Sequence, residues 1–157
     1  DAGYHVIGVT MPINQIEDET DRGVETAQAL GIDHRHIDLT EAYEDILKQQ
    51  YKIDASLISN DHSSKIRKGN IRARLRMITL YNLAGASQGF VASTDNFSEL
   101  AAGFWTLHGD VGDVSPIQSL SKSWEVPALA EMQGVPDSAV YAVPTDGPGR
   151  YSSDEDK

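Results

Sequence analysis

The sequence predicts an α/β fold: a three-layer sandwich in which a parallel, doubly wound sheet lies between helices. Three observations support this. Short apolar runs alternate with longer segments of helical periodicity. Pro12, Asp38 and Thr94-Asp95 stand at the carboxyl ends of these runs, where such sheets bind ligands. The 157 residues suit one domain around one core.

Tyr4 to Met11 reads as a buried strand that Pro12 ends. Glu17 to Leu30 reads as a helix with Gly31 as its stop. His34 to Leu39 is a second, short strand. Thr40 is expected to cap the next helix, Glu41 to Lys52. Ser56 to Ser64 is polar and reads as a loop, and Ile66 to Ala84 as a long helix. Gly89 to Ser93 is a third strand, Ser98 to Phe104 a short helix, and His108 to Ser115 a Gly/Asp loop. Ser123 to Gln133 is a last helix, with Pro127 awkward inside it. Beyond Pro136 the chain is turn-rich and acidic. The expected organisation is a core over 1–147 and an acidic, mobile tail over 148–157. Three strands fall short of the roughly five or six usual in a sheet. The first begins within four residues of Asp1, so the fold reads as truncated at its N-terminus.

Composition narrows the chemistry. Cysteine is absent, which excludes disulfides, thiolate metal sites and a cysteine nucleophile within these residues. The net charge of −11 argues against a nucleic-acid partner, which needs a cationic surface. No apolar run approaches the roughly 20 residues of a membrane helix, and no signal-peptide pattern opens the chain. A cytoplasmic location without membrane partners is the expectation. Six of the 13 Lys and Arg lie between Lys65 and Arg76. Such a local patch on an acidic body suits a small anionic ligand; the alternative is a solvated basic helix face.

Three segments can carry chemistry. On the long helix, at about 100° per residue, Arg72, Arg76 and Thr79 share a polar face. Arg74 falls between Ile78 and Tyr81 in an otherwise apolar arc, where it calls for an anion or for a salt bridge to a buried carboxylate. In Ser93-Thr94-Asp95-Asn96-Phe97-Ser98-Glu99-Leu100 a strand ends and a helix begins. Thr94 can bond a ligand's polar edge, and Glu99 can meet a divalent cation beside phosphates. An ordinary helix cap with an acidic first turn has the same pattern. The third segment, His108-Gly109-Asp110-Val111-Gly112-Asp113, offers two carboxylates for an ammonium ion, ribose hydroxyls or a metal, or else is a plain turn. His34 and His36 share a strand face and would need a third ligand to hold a metal.

The order and spacing of these segments resemble NAD synthase. The matching stretches are KGNIRARLRM (Lys68 to Met77), STDNFSEL (Ser93 to Leu100), GFWTLHGDVGD (Gly103 to Asp113), SPIQSLSK (Ser115 to Lys122) and PTDG (Pro144 to Gly147). YHVIGVTMP followed by an acidic helix is similar to the second strand of the same fold. The resemblance implies a Rossmann-like, adenine nucleotide alpha-hydrolase-like domain and an ammonia-dependent ligase. It implies that Arg74 and Asp113 contact deamido-NAD, that Thr94, Lys122 and Thr145 contact ATP, that Glu99 is a Mg2+ ligand, and that Asp110 serves the ammonia site. A homodimer is implied too, with the deamido-NAD site at the subunit interface. The implied reaction adenylates the nicotinate carboxylate with ATP, releasing pyrophosphate, and then replaces AMP by ammonia. Other readings are another adenylating ATP pyrophosphatase, or a non-catalytic nucleotide-binding fragment.

The sequence departs from the family's pattern. Leu107 stands where a lysine is usual, Thr10 where an arginine precedes Leu-Pro, and the Gly/Asp loop is one residue shorter. These changes mark a divergent subfamily. The resemblance also implies a Ser-Gly-Gly-x-Asp-Ser loop before Asp1 and a His-Lys pair after Lys157, and the chain contains neither. On that reading the isolated chain makes no NAD, because it lacks the loop that grips the phosphates.

Overall fold

The computed structural model describes residues 3–15 and 17–143. Strand β1 (Ile7–Thr10) pairs in parallel with β2 (Asp33–His36), in the register Ile7 with Asp33 and Thr10 with His36. A parallel pair needs a crossover, and helix α1 (Glu17–Ala29) supplies it. Glu17, Asp18 and Glu19 complement the dipole at its N-terminus. Its end is set by Gly31, whose φ of +63° lies in the left-handed region that side chains disfavour.

Alternation along the strands sorts residues between two faces. Gly8 and Thr10 turn towards α1, and a Cβ on Gly8 would meet Ile32 and Ala27. Met11 and Ile37 turn the other way, onto helices α2 (Thr40–Tyr51) and α3 (His62–Ala86). There Ile13, Leu39, Tyr43 and Leu47 form the buried core, flanked by Tyr51, Ile71 and Leu75. Burying one such side chain contributes about 1.5–3 kcal/mol, and Ile13 is fully enclosed. Helix α6 (Asp137–Val140) joins α1 on the opposite face, where the Ser138 hydroxyl donates to Glu25. The result is the expected layered α/β arrangement around a parallel sheet.

Several elements differ from the sequence reading, each for a local reason. Gly89 to Ser93 is not a regular strand. Its pairing reduces to one parallel bridge, Ala92 with Val114, because Val91 and Ser93 bond the Asp113–Val114 segment instead of β1. Thr40 does not cap α2. Leu39 holds the N-cap position without a side-chain capping bond, Asp38 accepts from the Thr40 N–H at 2.8 Å, and the Thr40 hydroxyl accepts from the Asn14 N–H. The polar stretch after Lys52 contains a 3-10 turn, Ala55–Ile58, and α3 starts four residues before Ile66, capped by Asp61. Pro127 is comfortable in helix α5 (Glu125–Met132) because it sits in the first turn, where a backbone N–H has no intrahelical partner. The acidic tail, with Thr145, lies outside the described residues.

The faces of α3 are also reversed. The arginine face packs inward: Arg72 stacks 5.1 Å over the Tyr43 ring. Arg76 donates to the Met11 carbonyl at 3.0 Å and to Gln15 at 2.8 Å. The arc with Arg74, Ile78 and Tyr81 faces outward, Ile78 being 66% exposed. Long arginine stems cover apolar surface as well as carry charge, so a polar face can be the buried one. Beneath the sheet, the Thr10 hydroxyl lies 3.1 Å from His34 Nε2 and 3.0 Å from His36 Nδ1.

Candidate functional site

The site is built where the 91–95 segment ends. Asn96 caps helix α4 (Phe97–Ala102) in a full capping box: its side chain accepts from the Glu99 N–H at 3.1 Å. In return Glu99 Oε2 accepts from the Asn96 backbone N–H at 3.1 Å and from its amide group at 2.8 Å. Glu99 therefore does serve as an ordinary cap, but with one oxygen only. Its Oε1 lies 3.7 Å from Lys122 Nζ, and both side chains are mostly covered. Lys122 is brought there by two backbone links. The Phe97 N–H donates to Leu120 at 2.8 Å, and the Lys122 N–H donates to the Ser98 hydroxyl at 3.2 Å. Thr94 stands exposed immediately before this cap.

The Gly/Asp loop lies alongside. Asp110 is half-buried, and both its carboxylate oxygens accept from the Thr106 N–H, at 3.0 and 2.9 Å. The Thr106 hydroxyl donates to Asn70 on α3 at 2.9 Å, fixing the loop to that helix. Burial raises the Asp110 carboxyl above the ordinary aspartate range. The negative charges of Asp95 and Glu99 push the same way, against the Thr106 N–H. Four expected residues, Thr94, Glu99, Asp110 and Lys122, thus gather at one end of the fold.

Arg74 lies on the outer face of α3, and Asp113 lies against that face through Tyr81. Arg74 donates to the Leu107 carbonyl at 3.1 Å. It borders an open depression of about 330 Å³ that Arg67, Asn70, Asp54 and Gln50 also line. Arg67 is matched there by Asp54 at 2.7 Å. Asp113 accepts from the Tyr81 hydroxyl at 3.0 Å and from the Val91 N–H at 2.9 Å. Arg74 and Tyr81 are seven residues apart, about 10 Å along the helix axis. Arg74 and Asp113 therefore mark two ends of one face, with Ile78 between them.

Sequence reasoning missed the residues that hold the site in place. Ser93, Asn70 and Thr106 carry only short polar groups, and nothing in their spacing announces a partner. Tyr81 was recognisable by its helical phase, shared with Arg74. His34 and His36 meet Thr10, and among the described residues no group of three His, Cys, Asp or Glu is arranged to hold a metal. No helix among the described residues is long and apolar enough to cross a membrane.

Comparison with known proteins gives a consistent result. The NAD synthase family model matches residues 3–157. The NH(3)-dependent NAD(+) synthetase of Alkaliphilus metalliredigens is 36% identical over 151 residues, covering 95% of this chain and 61% of that protein. The chain spans about three-fifths of the length of the curated relatives it matches first. The NMN synthetase of Francisella tularensis superposes with a TM-score of 0.83 at 30% identity, over 96% of this chain and 60% of that one. The NAD+ synthetase of Burkholderia pseudomallei does so with a TM-score of 0.75 at 26% identity, over 96% of this chain and 55% of that one.

Proposed function

The chain belongs to the NAD synthase family, with its adenine nucleotide alpha-hydrolase fold, and from that premise we propose that the protein is a carbon–nitrogen ligase that amidates deamido-NAD to NAD with ATP and ammonia. The observation that carries this reading is the convergence of Glu99, Lys122 and Asp110 beside Thr94. It brings a cation for phosphates, a carboxylate oxygen for a metal and a half-buried carboxylate to one place.

In the proposed reaction the nicotinate carboxylate attacks the α-phosphate of ATP, forming a carboxyl–phosphate bond and releasing pyrophosphate. Ammonia then attacks the adenylated carbonyl, and AMP leaves. Thr94, Lys122 and Thr145 bind ATP, and the Lys122 ammonium offsets phosphate charge. Glu99 fits Mg2+: its Oε1 is free of the cap, and one hard oxygen beside phosphates is how that ion is commonly held. When bound, Mg2+ supplies further charge neutralisation on the phosphates. The raised proton affinity of Asp110 suits it to hold ammonium and accept a proton as ammonia departs. Arg74 meets an anionic group of deamido-NAD. Asp113 contacts the same ligand with the lone pairs left by Tyr81 and Val91.

A homodimer is part of this proposal. Ile78, Tyr81 and Leu107 are 66%, 43% and 62% exposed around Arg74, a surface suited to a second copy of the chain. The expected setting is the cytoplasm.

One observation favours a second reading. The high structural likeness to an NMN synthetase, with Leu107 at the usual lysine position, suits a mononucleotide carboxylate, amidated to NMN by the same chemistry. The deciding experiment offers the full-length protein ATP, Mg2+ and ammonium with deamido-NAD, with nicotinate mononucleotide, or with unrelated carboxylates. Mass spectrometry identifies the product. NAD as the main product is expected; NMN supports the second reading, and amidation of neither nucleotide overturns both.

A further inference from the structure

We infer that Ser93 and Asp95 are positioning residues for Asp110: the Ser93 hydroxyl ties the loop that carries Asp110 to the Asp95 carboxylate at the end of the 91–95 segment. The inference rests on the proposed function only in giving Asp110 a role with ammonium.

Ser93 is 3% exposed, so its hydroxyl must find partners within the protein. It has two. Its oxygen lies 2.7 Å from Asp95 Oδ2 and 3.2 Å from the Asp110 carbonyl, and the Asp95 N–H approaches it at 3.3 Å. One hydroxyl proton is thus shared between a charged acceptor and a neutral one, and the charged, nearer acceptor takes the larger share. The Ser93 backbone repeats the connection, its N–H donating to Val114 at 2.7 Å. The side chain and main chain of one buried residue therefore grip the loop at Asp110 and at Val114.

This grip has an electrostatic result. Asp95, oriented by Ser93, adds its charge to that of Glu99 in strengthening the hold of Asp110 on a proton. Neither Ser93 nor Asp95 needs to touch a substrate for this. Removing the hydroxyl loosens the loop, whereas removing only the Asp95 charge leaves the loop in place and weakens the hold of Asp110 on its proton. A purely structural role would not separate these effects.

The test uses the 157-residue chain and two-dimensional amide NMR. The Thr106 N–H bonds both Asp110 oxygens, so its shift follows the protonation of that carboxyl. In Ser93→Ala, amide exchange at Thr106 should accelerate measurably, by at most about tenfold, the equivalent of one whole hydrogen bond, because the loop holds the smaller share of the proton. In Asp95→Asn, exchange should stay as in the wild type while the Asp110 titration midpoint falls towards the ordinary aspartate value. Wild-type exchange in Ser93→Ala overturns the inference, and so does an unmoved midpoint in Asp95→Asn. If Ser93→Ala does not fold, the Asp95→Asn midpoint decides alone. Ammonium chloride against sodium chloride, read at Thr106 in the wild type, tests the assignment of Asp110 to ammonia separately. A null result there removes that assignment and leaves the positioning claim standing on the two variants.

Discussion

The Tyr81 hydroxyl donates to Asp113 Oδ1 at 3.0 Å and so joins helix α3 to the end of the Gly/Asp loop. That hydrogen bond holds the phenol above the ordinary tyrosine range, because the neutral form donates it and a phenolate beside Asp113 would be repelled. Asp113→Asn should lower the Tyr81 pKa, as followed by the pH dependence of its ring NMR signals. A Tyr81 midpoint unchanged in the variant would mean that the contact is not formed in solution.

Gly112 sits against the backbone. A Cβ there would lie 2.4 Å from the Val91 carbonyl oxygen and 2.9 Å from the Ser93 nitrogen, neither of which can swing aside. Gly112→Ala should destabilise the protein by about 1–3 kcal/mol, typical of overpacking. The urea midpoint measures this. A neutral substitution would show that the loop does not press on Val91.

The arginines of α3 differ in their part in stability. Arg76→Ala leaves the Met11 carbonyl and Gln15 without their donor and should cost about 1–3 kcal/mol. Arg74 is exposed with one backbone contact, so Arg74→Ala should shift stability by no more than about 0.5 kcal/mol. If Arg74 binds deamido-NAD as proposed, Arg74→Ala should nonetheless raise the KM for it at least about tenfold, the loss of a charge-assisted contact. Equal denaturation midpoints for the two variants would contradict this difference.

Asp110 leaves a pH signature on folding. Its folded-state pKa lies above the ordinary value of 3.8, so the folded chain holds this proton more tightly than the unfolded one. Its contribution to stability is fully present below the unfolded value and is lost as pH rises through the folded one. Asp110→Asn cannot ionise and escapes that loss. Its melting temperature should rise relative to wild type as pH increases from 3 through this window, and then run parallel. Asp38, Asp54 and Asp61, all held below the ordinary range by hydrogen bonds, act oppositely but cancel in the comparison. A difference independent of pH would exclude the raised proton affinity.

Much of this fold is legible in the sequence because its signals are local. Gly31 stops α1, the Ile7–Thr10 run is apolar, and Arg72 and Arg76 share one helical phase on α3. The third strand is not legible in that way. Gly89 to Ser93 has the composition of a strand, but only its partner decides whether a ladder forms, and here the partner is the two-residue stretch Asp113–Val114. Helical angles place Arg72 and Arg76 together and Arg74 apart, yet they cannot say which side is covered, since Tyr43 and Met11 come from distant sequence. Thr94, Glu99, Lys122 and Asp110 are recognisable by resemblance. What orients them, such as Ser93, Asn70 and Thr106, acts through single hydrogen bonds between residues up to 36 positions apart.

Beneath the sheet, the Thr10 hydroxyl has one proton to offer and two imidazole nitrogens to satisfy. It can donate to only one of them, so the other ring must donate to it. If Thr10 gives its proton to His34, then His36 must carry hydrogen on Nδ1; if it gives it to His36, then His34 must carry hydrogen on Nε2. The two rings are therefore not independent. A ring that accepts the hydroxyl proton obliges its strand-mate to donate, so the two cannot both be acceptors at once, and Thr10→Val would let each ring choose for itself.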